Sequence, residues 1–390
     1  MDDKFLARLQ NAIREEGLDG WLFCNFRHRD PLSDSILQRS PGLGNTRYWF
    51  YAVPASGEAL ALVHAIEADH LEGLPGIKKS YTTREEMLVR LAPLGGKRWG
   101  VHSSENICAL SYLDGGLAAV LQRAGLVLVS AEGLIQRFKG LLDREGIASH
   151  EGAAAELYGI VETVWDFVRG AYGKGKPISE GDLRELMEDQ FIKRGLVRDH
   201  PPQAAAGVHT ANPHYDFEGP GAVLREGDLI QLDLWAKAKE PGAVYADISW
   251  AGVFGPRASR EAEKAFADLV EVRERVYTYL KDELKRGLRG AELDGKARSL
   301  LCAAGYGGAL RHRTGHGIDT ECHGAGVNLD SVEFIDTRYL LEGSCFSLEP
   351  GIYFDSFGLR TEINVYIAEG EARISGAAAG KERQFKLLSC

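Results

Sequence analysis

Four carboxylates interrupt apolar, strand-like runs in the second half of the chain, and any fold it adopts must account for them. Asp233 lies in "LIQLDLW", Asp247 in "VYADISWAGVF", Glu349 in "FSLEPGIYF" and Glu362 in "LRTEINVYI". A half-buried strand alternates apolar and polar positions, so an acid in such a run faces either solvent or a pocket. One such acid is most simply a solvent-facing side chain. Four on expected sheet in one region point to a shared pocket. Anions gathered within a few ångströms cannot all stay ionised without compensating charge.

Two divalent cations would supply that compensation. Oxygen donors with one imidazole suit Mn, Co or Zn better than a thiolate-bound structural zinc. Two such ions bridging one water lower its pKa towards ~7 and give hydroxide near neutral pH. The imidazole is offered by "HRTGHGIDTECH", which holds His312, His316 and His323. This stretch is not a helical His-Glu-x-x-His zinc motif: Arg313 follows His312, and Gly315 and Gly317 disfavour helix. It is not a zinc finger either, because no cysteine pair lies upstream. Alone it reads as a polar loop, so its chemistry depends on partners from the strands.

The rest of the chain divides into two regions. Up to about residue 147, helical and strand-like periods alternate. "DKFLARLQNAIREEGLD" reads as helix, "GWLFCN", "RYWFYAV", "EALALVHA" and "LVLVS" as strands, and "ICALSYLDGGLAAVLQRAG" and "EGLIQRFKGLLDREG" as helices. A polar loop is expected over 26–45. Beyond it, a long helix precedes Ser179, which is placed to cap the next one. Antiparallel sheet is expected across 221–255, where Glu-Gly and Pro-Gly turns punctuate the strands. Two helices then span 259–305, and strands return at 345–374. At 390 residues the chain is long enough for two cores. No apolar run is long enough for a membrane span, and the amphipathic start is unlike a secretory leader. The six cysteines form no CxxC pair, which fits reduced thiols in a cytoplasm. A net charge of -10 with no basic cluster argues against a nucleic-acid partner.

Asp233, Asp247, "HRTGHG", "LEPGIY" and "LRTE" follow one another as in the pita-bread metallopeptidases, and the chain resembles their Xaa-Pro branch, prolidase and aminopeptidase P. The resemblance covers about 150–390. It implies an α/β N-terminal creatinase-like domain over 1–147, then an α+β pita-bread catalytic domain over 148–390 with a curved, mainly antiparallel sheet. It further implies two divalent metal ions per chain. Asp233 would bind one metal, Asp247 and Glu362 would bridge both, and His316 and Glu349 would complete the other. Glu349 would also shuttle a proton from water to the leaving proline nitrogen. His214 and His323 would support the tetrahedral intermediate. His312 would line the proline pocket, and Arg360 and Tyr353 would reach substrate or brace the metal carboxylates. The implied substrate is a proline-containing di- or oligopeptide, and the implied assembly is a homodimer whose partner's N-terminal domain covers the site. On that basis the loop 25–50 shapes the substrate's N-terminal side.

Three features depart from the family pattern. Asp233 and Asp247 are 14 apart rather than 11, which a longer turn at Pro241-Gly242 can absorb without changing register. Asp319 stands where the family has glycine, and Gly324 where it has an acid. Asp319 and Glu321 are expected to sit solvated on a loop. The compact chain favours an Xaa-Pro dipeptidase, with aminopeptidase P activity on longer peptides as the alternative. A creatinase-like amidinohydrolase or a catalytically dead binding protein would have lost ligands, and all five positions are filled here.

Overall fold

The computed structural model describes residues 2–39 and 44–376 and separates into two compact units, Met1–Lys139 and Gly140–Cys390. Residues 40–43, part of the expected substrate-shaping loop, and Cys390 lie outside the described residues.

The first unit runs α1 (Asp3–Glu15), β1 (Gly20–Asn25), α2 (Pro31–Ile36), β2 (Trp49–Pro54), β3 (Leu60–His64), β4 (Ile77–Tyr81), α3 (Arg84–Leu91), β5 (Arg98–Val101), α4 (Gly115–Arg123), β6 (Val127–Ser130) and α5 (Glu132–Ile135). Its six strands are ordered β4-β3-β2-β1-β5-β6. Every residue of β1 is buried, so both sides of the strand need apolar cover, and the strand reads as a continuous apolar run. Trp21 and Phe23 pack on each other, while Leu22 and Cys24 join Trp99, Leu117 and Leu121.

Three expectations in this unit need correcting. The expected loop contains α2, which starts because Asp30 caps it and Pro31 supplies a preset φ at its first turn. The helix expected over 107–125 is instead a short 3-10 turn, Cys108–Leu110, followed by α4. There Asp114 captures the Leu117 N–H and starts the helix afresh. The helix expected over 132–146 runs from α5 into a π-helical turn, Gln136–Gly140, and stops before a new cap at Asp143.

The second unit holds α6 (Arg144–Gly173), α7 (Glu180–Arg194), β7 (Leu196–Val197), β8 (Gln203–Ala206), β9 (Leu229–Ala238), β10 (Ala246–Val253), α8 (Arg260–Glu283), α9 (Gly290–Ala303), β11 (Cys345–Leu348), β12 (Gly351–Tyr353), β13 (Gly358–Arg360), β14 (Ile363–Ala368) and β15 (Glu371–Ile374). Ser179 caps α7 in a capping box closed by Asp182. All strand pairings here are antiparallel. Two apolar layers cover the sheet: α6 and α7 pack on β8–β10, while α8 and α9 pack on β11–β15. β10 and β14 are joined through side chains. The Asp247 N–H donates to Asn364 Oδ1 at 2.8 Å, and Asn364 Nδ2 donates to the Asp247 carbonyl at 2.5 Å. Among the described residues, no helix is long and apolar enough to cross a membrane.

The register of the β9–β10 hairpin decides the fate of the long aspartate spacing. Asp233 pairs with Ser249, and Asp247 pairs with Trp235. Opposed residues in an antiparallel pair share a face, and residues two apart share it as well. Asp233, Ser249 and Asp247 therefore lie on one face, and the turn around Gly242, which has φ +83°, takes up the additional residues.

Glu349 and Glu362 are not within strands. β11 pairs with β14 through Leu348↔Ile363, and β12 pairs with β13 through Gly351↔Arg360. The ladder is broken between those pairs, and both acids stand at the break. Pro350 has no N–H to give to a ladder, which accounts for the break on its side. Their own N–H groups bond elsewhere, Glu349 to the Thr314 carbonyl at 2.8 Å and Glu362 to the Ser249 carbonyl at 3.3 Å.

Candidate active site

The interrupted hairpin, the β9–β10 face and the loop at 312–325 together line a cavity of about 590 Å³. Asp233, Asp247, His316, Glu349 and Glu362 all reach it, as do His214, His312, His323 and Arg360. His316 Nε2 lies 3.4 Å from Asp247 Oδ2 and 3.7 Å from Glu349 Oε1. Two sets of donor atoms, Asp233–Asp247–Glu362 and His316–Glu349–Glu362, each fall within 4.8 Å of one another, and Glu362 belongs to both.

The carboxylates are held by a small set of polar partners. Arg360 donates from Nη2 to Asp233 Oδ2 at 2.6 Å, from Nη1 to Tyr353 Oη at 3.1 Å and from Nε to Ser249 Oγ at 2.9 Å. Ser249 Oγ lies 2.7 Å from Asp233 Oδ1 and 2.8 Å from Glu362 Oε2, so its single proton serves one of them at a time. Ser347 Oγ accepts from the His316 N–H at 3.0 Å and donates to Glu349 Oε1 at 3.0 Å. His312 Nε2 lies 2.9 Å from Tyr353 Oη.

These partners leave two oxygens unanswered. Asp247 Oδ1 and Glu362 Oε1 are buried with no hydrogen-bond partner, on residues that are 5% and 2% exposed. A buried acceptor without a donor costs about 1–3 kcal/mol, and more when charged. The charge balance is strained too. Burial, opposed by Arg360 and reinforced by Asp247, pushes Asp233 up to about 6. Burial and the surrounding carboxylates push Glu362 well above the ordinary range. Burial alone would raise Glu349, but His316, His312 and Arg360 hold it below its usual value. Burial would likewise lower His316, yet Asp247 and Glu349 keep it raised. Oxygen donors, an imidazole and two unpartnered buried oxygens fit bound divalent cations.

The residues expected to face substrate are placed as follows. His214 follows a 3-10 turn, Gly207–Ala211, and is exposed at the cavity. The stretch carrying it is pinned by Glu180, which is fully buried. One Glu180 oxygen takes the Ala206 N–H at 2.8 Å and lies 2.8 Å from His209 Nδ1; the other takes Tyr215 Oη at 3.0 Å and the Ala222 N–H at 2.7 Å. His323 lies against His316, ring centroids 4.3 Å apart. Tyr353 and Arg360 are buried and bonded to each other, and Arg360 is also bonded to Asp233.

Asp319 corrects an expectation. Glu321 is exposed, but Asp319 is only 1% exposed. Its carboxylate accepts from the Glu321 and Ala325 N–H groups, both at 2.8 Å. It fills the space beside Gly324, where an added Cβ would come within 2.6 Å of its carboxyl carbon. An acid that caps two loop N–H groups is drawn inward rather than into solvent.

Four contributors went unread in the sequence: Ser249, Ser347, Glu180 and Cys322. Ser249 and Ser347 each lie two positions from a site acid, the spacing that shares a strand face. Glu180 looks like an ordinary first-turn acid after its cap. The Cys322 thiol donates to Asp247 Oδ2 at 3.2 Å, and no local pattern announces it.

Residues 150–369 match metallopeptidase family M24. The chain is 34% identical over 159 residues to the Xaa-Pro dipeptidase of Lactobacillus delbrueckii subsp. lactis, covering 40% of this chain and 39% of that protein. It is 28% identical over 232 residues to the Xaa-Pro dipeptidase of Lactobacillus helveticus, covering 58% and 57%. The chain thus spans less than two thirds of the length of these two relatives. In fold it is similar to the crystal structure of dipeptidase PepE from Mycobacterium ulcerans, with a TM-score of 0.72 at 21% identity, covering 99% of this chain and 97% of that one. This likeness bears out the expected fold, an α/β N-terminal domain followed by a pita-bread domain.

Proposed function

The chain belongs to metallopeptidase family M24, and we propose that it is a two-metal Xaa-Pro dipeptidase. One observation carries the reading. Five donors, from two strands, a break in a hairpin and a loop far apart in sequence, converge on one cavity and leave buried oxygens of Asp247 and Glu362 without any protein partner. In this reading Asp233 would hold one ion, His316 and Glu349 the other, and Asp247 and Glu362 would serve both. The donor set accepts Mn, Co or Zn. Bound divalent cations would polarise the scissile carbonyl and bring the pKa of water towards ~7.

The chain's own residues do the rest. Glu349, kept ionised by its cationic neighbours, takes the proton from the attacking water and delivers it to the proline nitrogen as the bond breaks. Ser347 holds the oxygen of Glu349 that faces His316. His214 and His323, at the cavity wall, donate to the oxyanion. His312 is fixed by Tyr353 and lines the proline side, while Arg360 anchors Asp233 and lies within reach of substrate. The reading extends to a cytoplasmic homodimer acting on proline-containing peptides, with no nucleic-acid or membrane partner.

The test is to measure bound metal and then assay an Xaa-Pro dipeptide beside an Xaa-Pro-Xaa tripeptide, with and without Mn²⁺. Metal-dependent cleavage of the dipeptide is expected. Cleavage of the tripeptide alone would replace the dipeptidase reading with aminopeptidase P. Cleavage of neither, with metal bound, would overturn both.

A further inference from the structure

The five donors of the proposed centre do not exhaust the ligating atoms gathered there. Cys322 is 3% exposed, and its Sγ belongs to a third set of donor atoms, with Asp247 and His316, all within 4.8 Å of one another. The set converges on one oxygen: Asp247 Oδ2 is 3.2 Å from Cys322 Sγ and 3.4 Å from His316 Nε2. A tetrahedral ion at ordinary Zn–S, Zn–N and Zn–O bond lengths holds its donors about 3.3–3.6 Å apart. The His316–Asp247 separation lies within that range, and the Cys322–Asp247 separation, a thiol hydrogen bond, is a few tenths of an ångström shorter. The thiol is therefore already placed as a neighbouring donor.

Other buried thiols lack this setting. Cys24 lies in the apolar core of the first unit, and Cys345 has only the His150 ring, at 3.6 Å. At Cys322 a carboxylate and an imidazole accompany the sulfur. The second, independent observation is the unpartnered Asp247 Oδ1, buried on the carboxylate that the thiol touches.

We propose that Cys322 is a sulfur ligand at the Asp247–His316 corner of the centre, giving that cation position a mixed N/O/S donor set. The inference rests on the two-metal reading above. On loading, the Sγ–H bond breaks, an Sγ–metal bond forms, and the proton leaves to solvent; no electron is transferred. A sulfur donor favours the softer ions, Zn²⁺ and Co²⁺, over Mn²⁺ at this position. One corner of an otherwise oxygen-rich centre thus acquires a preference that the carboxylates alone do not provide.

The experiment is spectroscopic and needs no turnover. The full chain is freed of metal, loaded with Co²⁺, and its absorption compared with that of Cys322→Ser and Cys322→Ala. A thiolate-to-cobalt charge-transfer band in the near ultraviolet is expected in the parent. Both variants should lose it while keeping the visible cobalt bands that report bound metal. Competition titration should show Zn²⁺ affinity falling at least about tenfold in the variants, with Mn²⁺ affinity little changed. Visible cobalt bands without the charge-transfer band in the parent would overturn the sulfur ligand and leave the peptidase reading standing. A folded parent that takes up no cobalt would overturn both. Persistence of the band in both variants would assign it to another cysteine and overturn the proposal.

Discussion

The carboxyl carbon of Asp319 occupies the space that a side chain on Gly324 would need, 2.6 Å from the position of its Cβ. The two residues are therefore one steric unit, although five positions separate them. Gly324→Ala should destabilise the protein by about 1–3 kcal/mol through overpacking. Asp319→Gly should cost about 1–3 kcal/mol by leaving the Glu321 and Ala325 N–H groups without their acceptor. In the double variant the side-chain part of the clash is gone, leaving only the backbone nitrogen of residue 319 at 2.8 Å, so its cost should fall below the sum of the two. Urea denaturation of all four proteins checks this, and strict additivity would refute the coupling.

Ser249→Ala removes the hydroxyl lodged between Asp233, Glu362 and Arg360. Metal affinity should drop about 10–100-fold, as for other groups that orient ligands without binding the ion. Calorimetric titration with Mn²⁺ or Zn²⁺ reads the change. Affinity equal to the parent's would show that the carboxylates need no such bracing.

Glu349→Ala deletes a proposed ligand and the proposed proton carrier together. Turnover should vanish, while the fold, followed by circular dichroism, should persist. Substantial residual cleavage would refute the assigned role.

Glu180→Gln exchanges an oxygen that faces two donors for an amide that is itself a donor. The stretch carrying His214 should loosen, raising KM several-fold with bound metal unchanged. An unaltered KM would separate Glu180 from substrate handling.

His150 supplies a pH test at a side chain outside the proposed ligand set. Its ring is fully buried, with Nδ1 2.6 Å from the Tyr245 carbonyl and Nε2 2.6 Å from Ser375 Oγ. The neutral ring satisfies both, donating to the carbonyl and accepting from the hydroxyl. Burial lowers its pKa, with the Tyr245 carbonyl opposing. A lowered folded pKa means its contribution is complete above the unfolded value of about 6.5 and is lost as pH falls below it. Melting temperature should therefore fall more steeply from pH 7 to 5 in the parent than in His150→Gln. Parallel curves would rule out His150 as a source of the acid sensitivity.

The readable parts of this protein were those governed by short repeats. β9 and β10 were visible because Leu, Ile and Trp alternate around Asp233 and Asp247, and α7 because Ser179 precedes a good first turn. Hidden features depended on partners remote in the chain. Pro350 marks the break beside Glu349, but no local pattern marks the one at Glu362, whose N–H goes to the remote Ser249 carbonyl instead. The inward turn of Asp319 depends on N–H groups that only the folded loop presents. The expected helices at 107–125 and 132–146 failed because caps at Asp114 and Asp143 outweighed a continuing apolar period.

The break in the hairpin has a kinetic consequence. Asp233 and its partner Arg360 are 127 positions apart, and Glu362 reaches Ser249 across 113. Such closures come late, after the loop entropy between them has been overcome. A chain still folding thus has no high-affinity place for an ion, and premature capture is discouraged by topology itself. Once docked, an ion would add one more link between hairpins already joined by Asn364, Arg360 and Glu362, so metal release should lower the resistance of that seam to opening.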